Sequence, residues 1–330
     1  MRISRIWKRR LFRLALVILA ALALEFALDI STSPLWPRML QLRQLGEQYP
    51  PECLRLSDEL GFEAIPNRCS RNEWGARVTG NPRRPPNGPR LLLLGDSIAQ
   101  DHLFADRMQQ HFDADPTLHG LEIWNAGVAG YNLYQEFQVL RRDFAAVRPQ
   151  LILFEVCPND AETFLDVVYL QPDTRRRFFR PDGSMKPLLV VLTKSRILDV
   201  LMFLLYGERP PASTRGEQFE TSDVLKQIAA FSQSRGVPVA LVAFPHLGSE
   251  PREHFAQQYR KLVSLLRASG MPYFLAETVL HPPLEQYCAI IGDPLHPNEK
   301  GHQLAGDGIV RFLREQKLIG GPDTSSAGAR

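Results

Sequence analysis

From residue 90 to 315 the sequence alternates short apolar runs with longer helical stretches, and this alternation constrains the fold more than any other feature. Apolar runs at 91–94, 121–124, 151–156, 239–244 and 273–275 predict strands, and the segments at 98–112, 133–147, 222–235, 252–268 and 297–315 predict helices. Leu91-Leu-Leu-Leu94 ends at Gly95, as expected of a strand buried on both faces. Strands separated by helical crossovers give an α/β fold with a parallel sheet of about five strands and helices on both faces. Ligand sites in such folds form outside the carboxyl ends of the strands, so residues just after each run are the ones to inspect.

Four such positions carry chemistry. Ser97, in Gly95-Asp-Ser-Ile98, follows the first strand; alone it reads more simply as a helix cap. Asp293-Pro-Leu-His296 precedes the last helix and places an acid and an imidazole on one turn. A serine hydroxyl needs a base to accept its proton, and the base needs an anion to fix its tautomer, so Ser97, His296 and Asp293 form a candidate triad. Separately, the two would read as a turn aspartate and a helix cap. Asn125-Ala-Gly-Val-Ala-Gly130 and Cys157-Pro-Asn159-Asp160 follow the second and third strands. The amides of Ser97 and Gly130 and the carboxamide of Asn159 are candidate oxyanion donors, each worth about 2.7–4 kcal/mol in such sites. The plainer reading makes Gly130 a turn glycine and Asn159 and Asp160 caps of the next helix. His246, after the fourth strand, is a candidate for the substrate pocket; Asp96 reads as a cap, His102 as exposed and His302 as structural.

The set Gly95-Asp-Ser-Ile98, Gly130, Asn159 and Asp293-x-x-His296 resembles the four blocks of the SGNH, or GDSL, hydrolase superfamily over roughly residues 90–315. That resemblance implies a flavodoxin-like three-layer α/β/α domain, a serine nucleophile, an oxyanion hole from Ser97, Gly130 and Asn159, and neither metal nor cofactor. Two positions depart from the pattern: Ile98 replaces a frequent leucine, and Cys157-Pro precedes Asn159 where glycine is common. Gly130 is preferred to Gly127 because the Gly-Tyr-Asn run matches the second block better. No Gly-x-Ser-x-Gly elbow is present, which disfavours the separate α/β-hydrolase fold.

Arg2, Arg5, Lys8, Arg9, Arg10 and Arg13 precede the first acid, Glu25, and the stretch from Leu11 to Ile30 is mostly apolar. Basic flanks on the N-terminal side predict a single transmembrane helix with that end in the cytoplasm and the body exported, periplasmic if the cell is bacterial. A cleaved signal peptide ending near Ala21-Leu22-Ala23 exports the body equally. The formal net charge is +3, and the body outside that leader is near neutral, which removes the electrostatic case for a nucleic-acid partner. Four cysteines without C-x-x-C spacing disfavour structural zinc; export permits a disulfide between Cys53 and Cys69, which the sequence leaves open.

The expected organisation is a basic tail at 1–10, an anchor at 11–30, and a juxtamembrane segment with a Pro-rich linker at 31–89. A catalytic domain follows at 90–318, with an insertion at 161–220 carrying Arg175-Arg-Arg-Phe-Phe-Arg180, and a disordered tail closes the chain at 319–330. The expected activity is a serine-dependent esterase acting on a small-molecule or glycan O-acyl ester, with the membrane as its other partner. An O-acyltransferase or lipid esterase with the same triad, and a non-catalytic glycan-binding or assembly protein of the same fold, are the alternatives.

Overall fold

The computed structural model describes residues 13, 16–17, 19–21, 23, 53–57, 59–78, 88–118, 120–161, 163–164, 218–248, 253–289 and 295–320. Ten strands lie within them: β1 Leu54–Ser57, β2 Gly61–Ala64, β3 Arg77–Val78, β4 Arg90–Leu94, β5 Glu122–Asn125, β6 Leu151–Val156, β7 Thr163–Phe164, β8 Gln218–Phe219, β9 Val239–Ala243 and β10 Tyr273–Leu275. Six helices accompany them: α1 Ser97–Gln100, α2 Leu103–Ala114, α3 Leu133–Val147, α4 Thr221–Arg235, α5 Glu253–Ser269 and α6 Glu299–Glu315.

The central sheet runs β10-β9-β6-β4-β5-β3. Its first five members are parallel, as the apolar runs predict, and β3 closes the far edge antiparallel to β5. Taken alone, the five parallel strands have the flavodoxin-type order, in which the chain reverses direction across the sheet at its first strand. That strand is β4, flanked by β5 and β6. The crevice outside their carboxyl ends is therefore where a ligand site is expected.

Alternation along the buried strands builds two cores. Leu92 and Leu94 of β4 and Ile152 and Phe154 of β6 join Leu140, Ile228 and Leu262 from α3, α4 and α5. Leu91, Leu93, Leu151 and Leu153 face the other way, onto Phe104 and Met108 of α2 and Ile309 and Leu313 of α6. Each fully buried leucine contributes about 1.5–3 kcal/mol, so both helical layers are fixed to the sheet by its pleat.

The helix expected over 98–112 is broken. His102 takes a left-handed conformation with φ 54°, and α1 ends before it as a separate turn. The closing helix starts at Glu299 instead of Pro297, because Pro297 forms an antiparallel bridge with Cys288 and Asn298 takes the cap. Residues 53–78, read from sequence as part of a linker, hold a β1–β2 hairpin, the Cys53–Cys69 disulfide and the edge strand β3. Leu60 is fully buried in the first core, and its carbonyl accepts from Gln135 Nε2 at 2.7 Å. Ile319 packs into the second core, so ordered structure extends past 318.

Strands β7 and β8 pair antiparallel and bring the two ends of the 161–220 stretch together. Its interior, with the Arg175–Arg180 patch, lies outside the described residues, as does 321–330. Among the described residues no helix is long and apolar enough to cross a membrane. Those described between 13 and 23 are helical, and Leu16, Val17 and Leu19 are exposed.

Candidate active site

The turn from β4 into α1 is held by buried polar groups. A Cβ on Gly95 would lie 2.6 Å from Glu155 Oε2 and 2.7 Å from the Ala99 Cβ, so only glycine fits between β6 and α1. Asp96 caps α1: its carboxylate accepts from the Ile98 N–H at 2.9 Å, and its own N–H donates to Glu155 Oε2 at 3.1 Å. Ser97 is the first residue of that turn, at the end of β4. Asn125 fastens the turn from the other side, donating to the Ala99 carbonyl at 2.6 Å and accepting from the Gly127 N–H at 2.9 Å.

His296 comes from a different structure. The Ala289 N–H donates to the His296 carbonyl at 2.8 Å and the Asn298 N–H to the Tyr287 carbonyl at 2.6 Å, so residues 296–298 are paired with 287–289. Asn298 then caps α6 by accepting from the Gly301 N–H at 3.0 Å. This arrangement puts His296 Nε2 2.7 Å from Ser97 Oγ, joining residues 199 positions apart. When Nδ1 carries the ring proton, the hydroxyl donates to Nε2, the geometry in which a base accepts a nucleophile's proton. Asp293 lies outside the described residues.

Gly127 and Gly130 have different surroundings. The Gly127 N–H is used by Asn125, and a Cβ there would lie 2.7 Å from the Ala99 Cβ, so this glycine serves close packing of the β5 loop on α1. Gly130 has φ 78° and is exposed. Among the described residues neither its N–H nor that of Ser97 has a hydrogen-bond partner. Asn159, at the end of β6, donates from Nδ2 to Asp96 Oδ2 at 3.0 Å, which leaves its second amide hydrogen unspent.

Beneath these donors lies an acidic layer that sequence reasoning missed. Asp96, Glu136, Glu155 and Asp160 are all buried. Asp160 links the layers, accepting from the Leu133 N–H at 2.7 Å and the Cys157 N–H at 2.8 Å, so it caps α3 across the fold. Burial, then the charge of Asp96, push the carboxyls of Glu155 and Asp160 well above the usual carboxylate range. Burial, then Asp160, do the same for Glu136, whose two oxygens have no partner. Strand periodicity gives no hint of this layer, because Glu155 and Glu136 occupy positions that the pattern assigns to apolar residues.

Asp96, Glu155 and Cys157 each bring a ligand atom within 4.8 Å of the others, the one such group among the described residues. Asp96 Oδ2, Glu155 Oε2 and the thiol are already in hydrogen bonds, and a lone open acceptor, Glu155 Oε1, does not make a coordination shell. The other histidines differ from one another. His246 is half-buried after β9 with its ring 6.1 Å from that of Phe255, and the adjacent Leu247 carbonyl accepts from Cys288 Sγ, beside the loop of His296. His102 pairs with Asp106 at 2.7 Å. His302 is fully buried against Phe104, and burial lowers its pKa to about 4, which keeps it neutral.

The GDSL-like lipase/acylhydrolase family model matches residues 93–304, more than half of the chain, and begins and ends around the Ser97 and His296 elements. The chain belongs to the GDSL-like lipase/acylhydrolase family. As a GDSL protein it is an ester-hydrolysing serine hydrolase. No curated protein matches it. Among solved structures it is similar to an acetylxylan esterase from Geobacillus stearothermophilus, at 14% identity over 68% of this chain and 94% of that one, with a TM-score of 0.44. It is also similar to an α/β hydrolase enzyme from the metagenome of Lake Arreo, Spain, at 14% identity over 69% and 95%, with a TM-score of 0.46. The position of Ile98 in the GDSL turn needs no leucine: the side chain is buried among apolar neighbours that either residue can meet.

Proposed function

We propose that this GDSL hydrolase cleaves an O-acyl ester by a Ser97–His296–Asp293 triad, on an envelope or exported glycan presented outside the cytoplasmic membrane. The reading is carried by one observation, the 2.7 Å separation of Ser97 Oγ and His296 Nε2. His296 accepts the hydroxyl proton as Ser97 attacks the acyl carbonyl, and Asp293 holds the Nδ1–H tautomer. The oxyanion meets the N–H groups of Ser97 and Gly130 and the remaining hydrogen of Asn159, groups that no acceptor among the described residues occupies. His296 then protonates the leaving alcohol, and water releases the acyl group by the same route in reverse.

The membrane half of the reading is supported by the basic leader, the helical residues with exposed Leu16, Val17 and Leu19, and the Cys53–Cys69 disulfide, which persists in oxidising compartments. Aryl esters of graded acyl length, assayed with the wild type, Ser97→Ala and His296→Ala, test the chemistry. Activity unchanged in both variants sinks the mechanism. Fractionation with alkaline extraction tests the anchor: a mature protein starting near Leu24 and released by alkali rejects it in favour of a cleaved signal.

A further inference from the structure

We infer that Cys157 is a positioning residue: its thiol holds the Asn159 carboxamide in the one orientation that offers Nδ2 to the oxyanion. This rests on the reading of Asn159 as an oxyanion donor. A carboxamide can flip, exchanging oxygen for nitrogen, and a flipped Asn159 would present a lone pair to developing negative charge. Two contacts select against the flip. Asp96 Oδ2, an acceptor, lies 3.0 Å from Nδ2, and Cys157 Sγ lies 2.8 Å from Oδ1. A flip would put oxygen against the carboxylate and an N–H against the thiol hydrogen, which would then have only the longer contact to Asp96 Oδ2 at 3.2 Å.

The thiol has a second acceptor in reach, Asp96 Oδ2 at 3.2 Å, which shares its one hydrogen with the shorter contact to Asn159 Oδ1. Burial, then the charges of Asp96 and Asp160, push the Cys157 thiol well above its usual range, so it stays S–H and remains a donor. Cys157 is itself fixed, since its N–H donates to Asp160 Oδ2 and its side chain is buried in the second core. The position that departs from the family pattern thus has a job, one that glycine has no side chain to perform.

A double-mutant cycle tests this. Cys157→Ala removes the donor and lowers kcat about tenfold with KM unchanged, while Cys157→Ser, which keeps a hydroxyl donor, recovers most of the loss. Asn159→Ala lowers kcat by about 10²–10³. In the Asn159→Ala background, Cys157→Ala has no further effect, because nothing is left to orient. Additive losses, a loss that falls on KM, or a Cys157→Ala enzyme as fast as wild type each overturn the inference while leaving the Asn159 role standing. An Asn159→Ala enzyme with full activity overturns both together. Thermal melts of every variant separate misfolding from lost orientation; should Cys157→Ala not fold, Cys157→Thr against Cys157→Val, the same shape with and without a hydroxyl donor, carries the same comparison.

Discussion

Two halves of the site, brought within 2.7 Å of each other, are built on opposite principles. The Ser97 corner grows out of the sheet centre and is over-determined: Gly95 has no room for a Cβ, and Asp96, Asn125 and Glu155 each spend polar atoms on neighbouring backbone. His296 lies outside the sheet, and among the described residues its surroundings include the Cys288–Pro297 bridge with its two main-chain bonds and the cap and side-chain tie of Asn298. Nucleophile and oxyanion donors must be preorganised to stabilise the transition state, so rigidity belongs there.

The largest expected effect treats the two halves as one machine. Ser97→Ala and His296→Ala should each lower kcat on the order of 10⁶-fold, and the double variant should be no slower than either, since a base without its nucleophile has no task. Steady-state rates on an aryl acetate measure this; multiplicative losses would separate the halves.

Beneath the corner, rigidity carries a pH cost. Burial, then Asp160 and Asp96, hold the Glu136 carboxyl well above its ordinary value of 4.5 in the folded protein, which favours its neutral form. A raised folded pKa means that its contribution to stability is full below the unfolded value and is lost as pH rises toward the folded one. Glu136→Gln never ionises, so the variant should gain on the wild type by about 1.4 kcal/mol per pH unit across that window. Denaturant melts at pH 5, 7 and 9 would show it, and a constant difference would mean that Glu136 is ionised in the fold. Smaller again, Gly95→Ala should cost about 1–3 kcal/mol by forcing a methyl against Glu155 and Ala99, read from the same melts.

What could be read from the sequence follows the same division. Helix α3 and strands β6 and β10 lie where periodicity puts them, because their burial is set by the pleat and the helical stripe. The break at His102 was not legible, since a left-handed histidine leaves no mark on hydrophobic spacing. Nor was the addition of β3: a two-residue strand that owes its place to β5 has no pattern of its own. At the site, Ser97, Gly130, Asn159 and His296 were legible as residues at strand ends or before the closing helix. The cap role of Asp96 was legible too, but its hold on Asn159 and the contacts of Cys157 were not, because they depend on a partner about 60 residues away or on a side-chain direction.

The smallest effect probes the His296 half. Asn298 does two things: Oδ1 caps α6, and Nδ2 donates to the Gln286 carbonyl at 2.8 Å, tying the helix start to the His296 loop. Asn298→Ala loses both and should cost about 1 kcal/mol of stability. Asn298→Asp keeps the cap, adds a negative charge favourable at a helix N-terminus, and loses only the tie. In either variant kcat should fall only a few-fold, because the main-chain bond from Ala289 to the His296 carbonyl remains. A kcat for Asn298→Asp as low as that of His296→Ala would mean that the side-chain tie fixes the base as tightly as the corner fixes the nucleophile, and the contrast between the halves would fail.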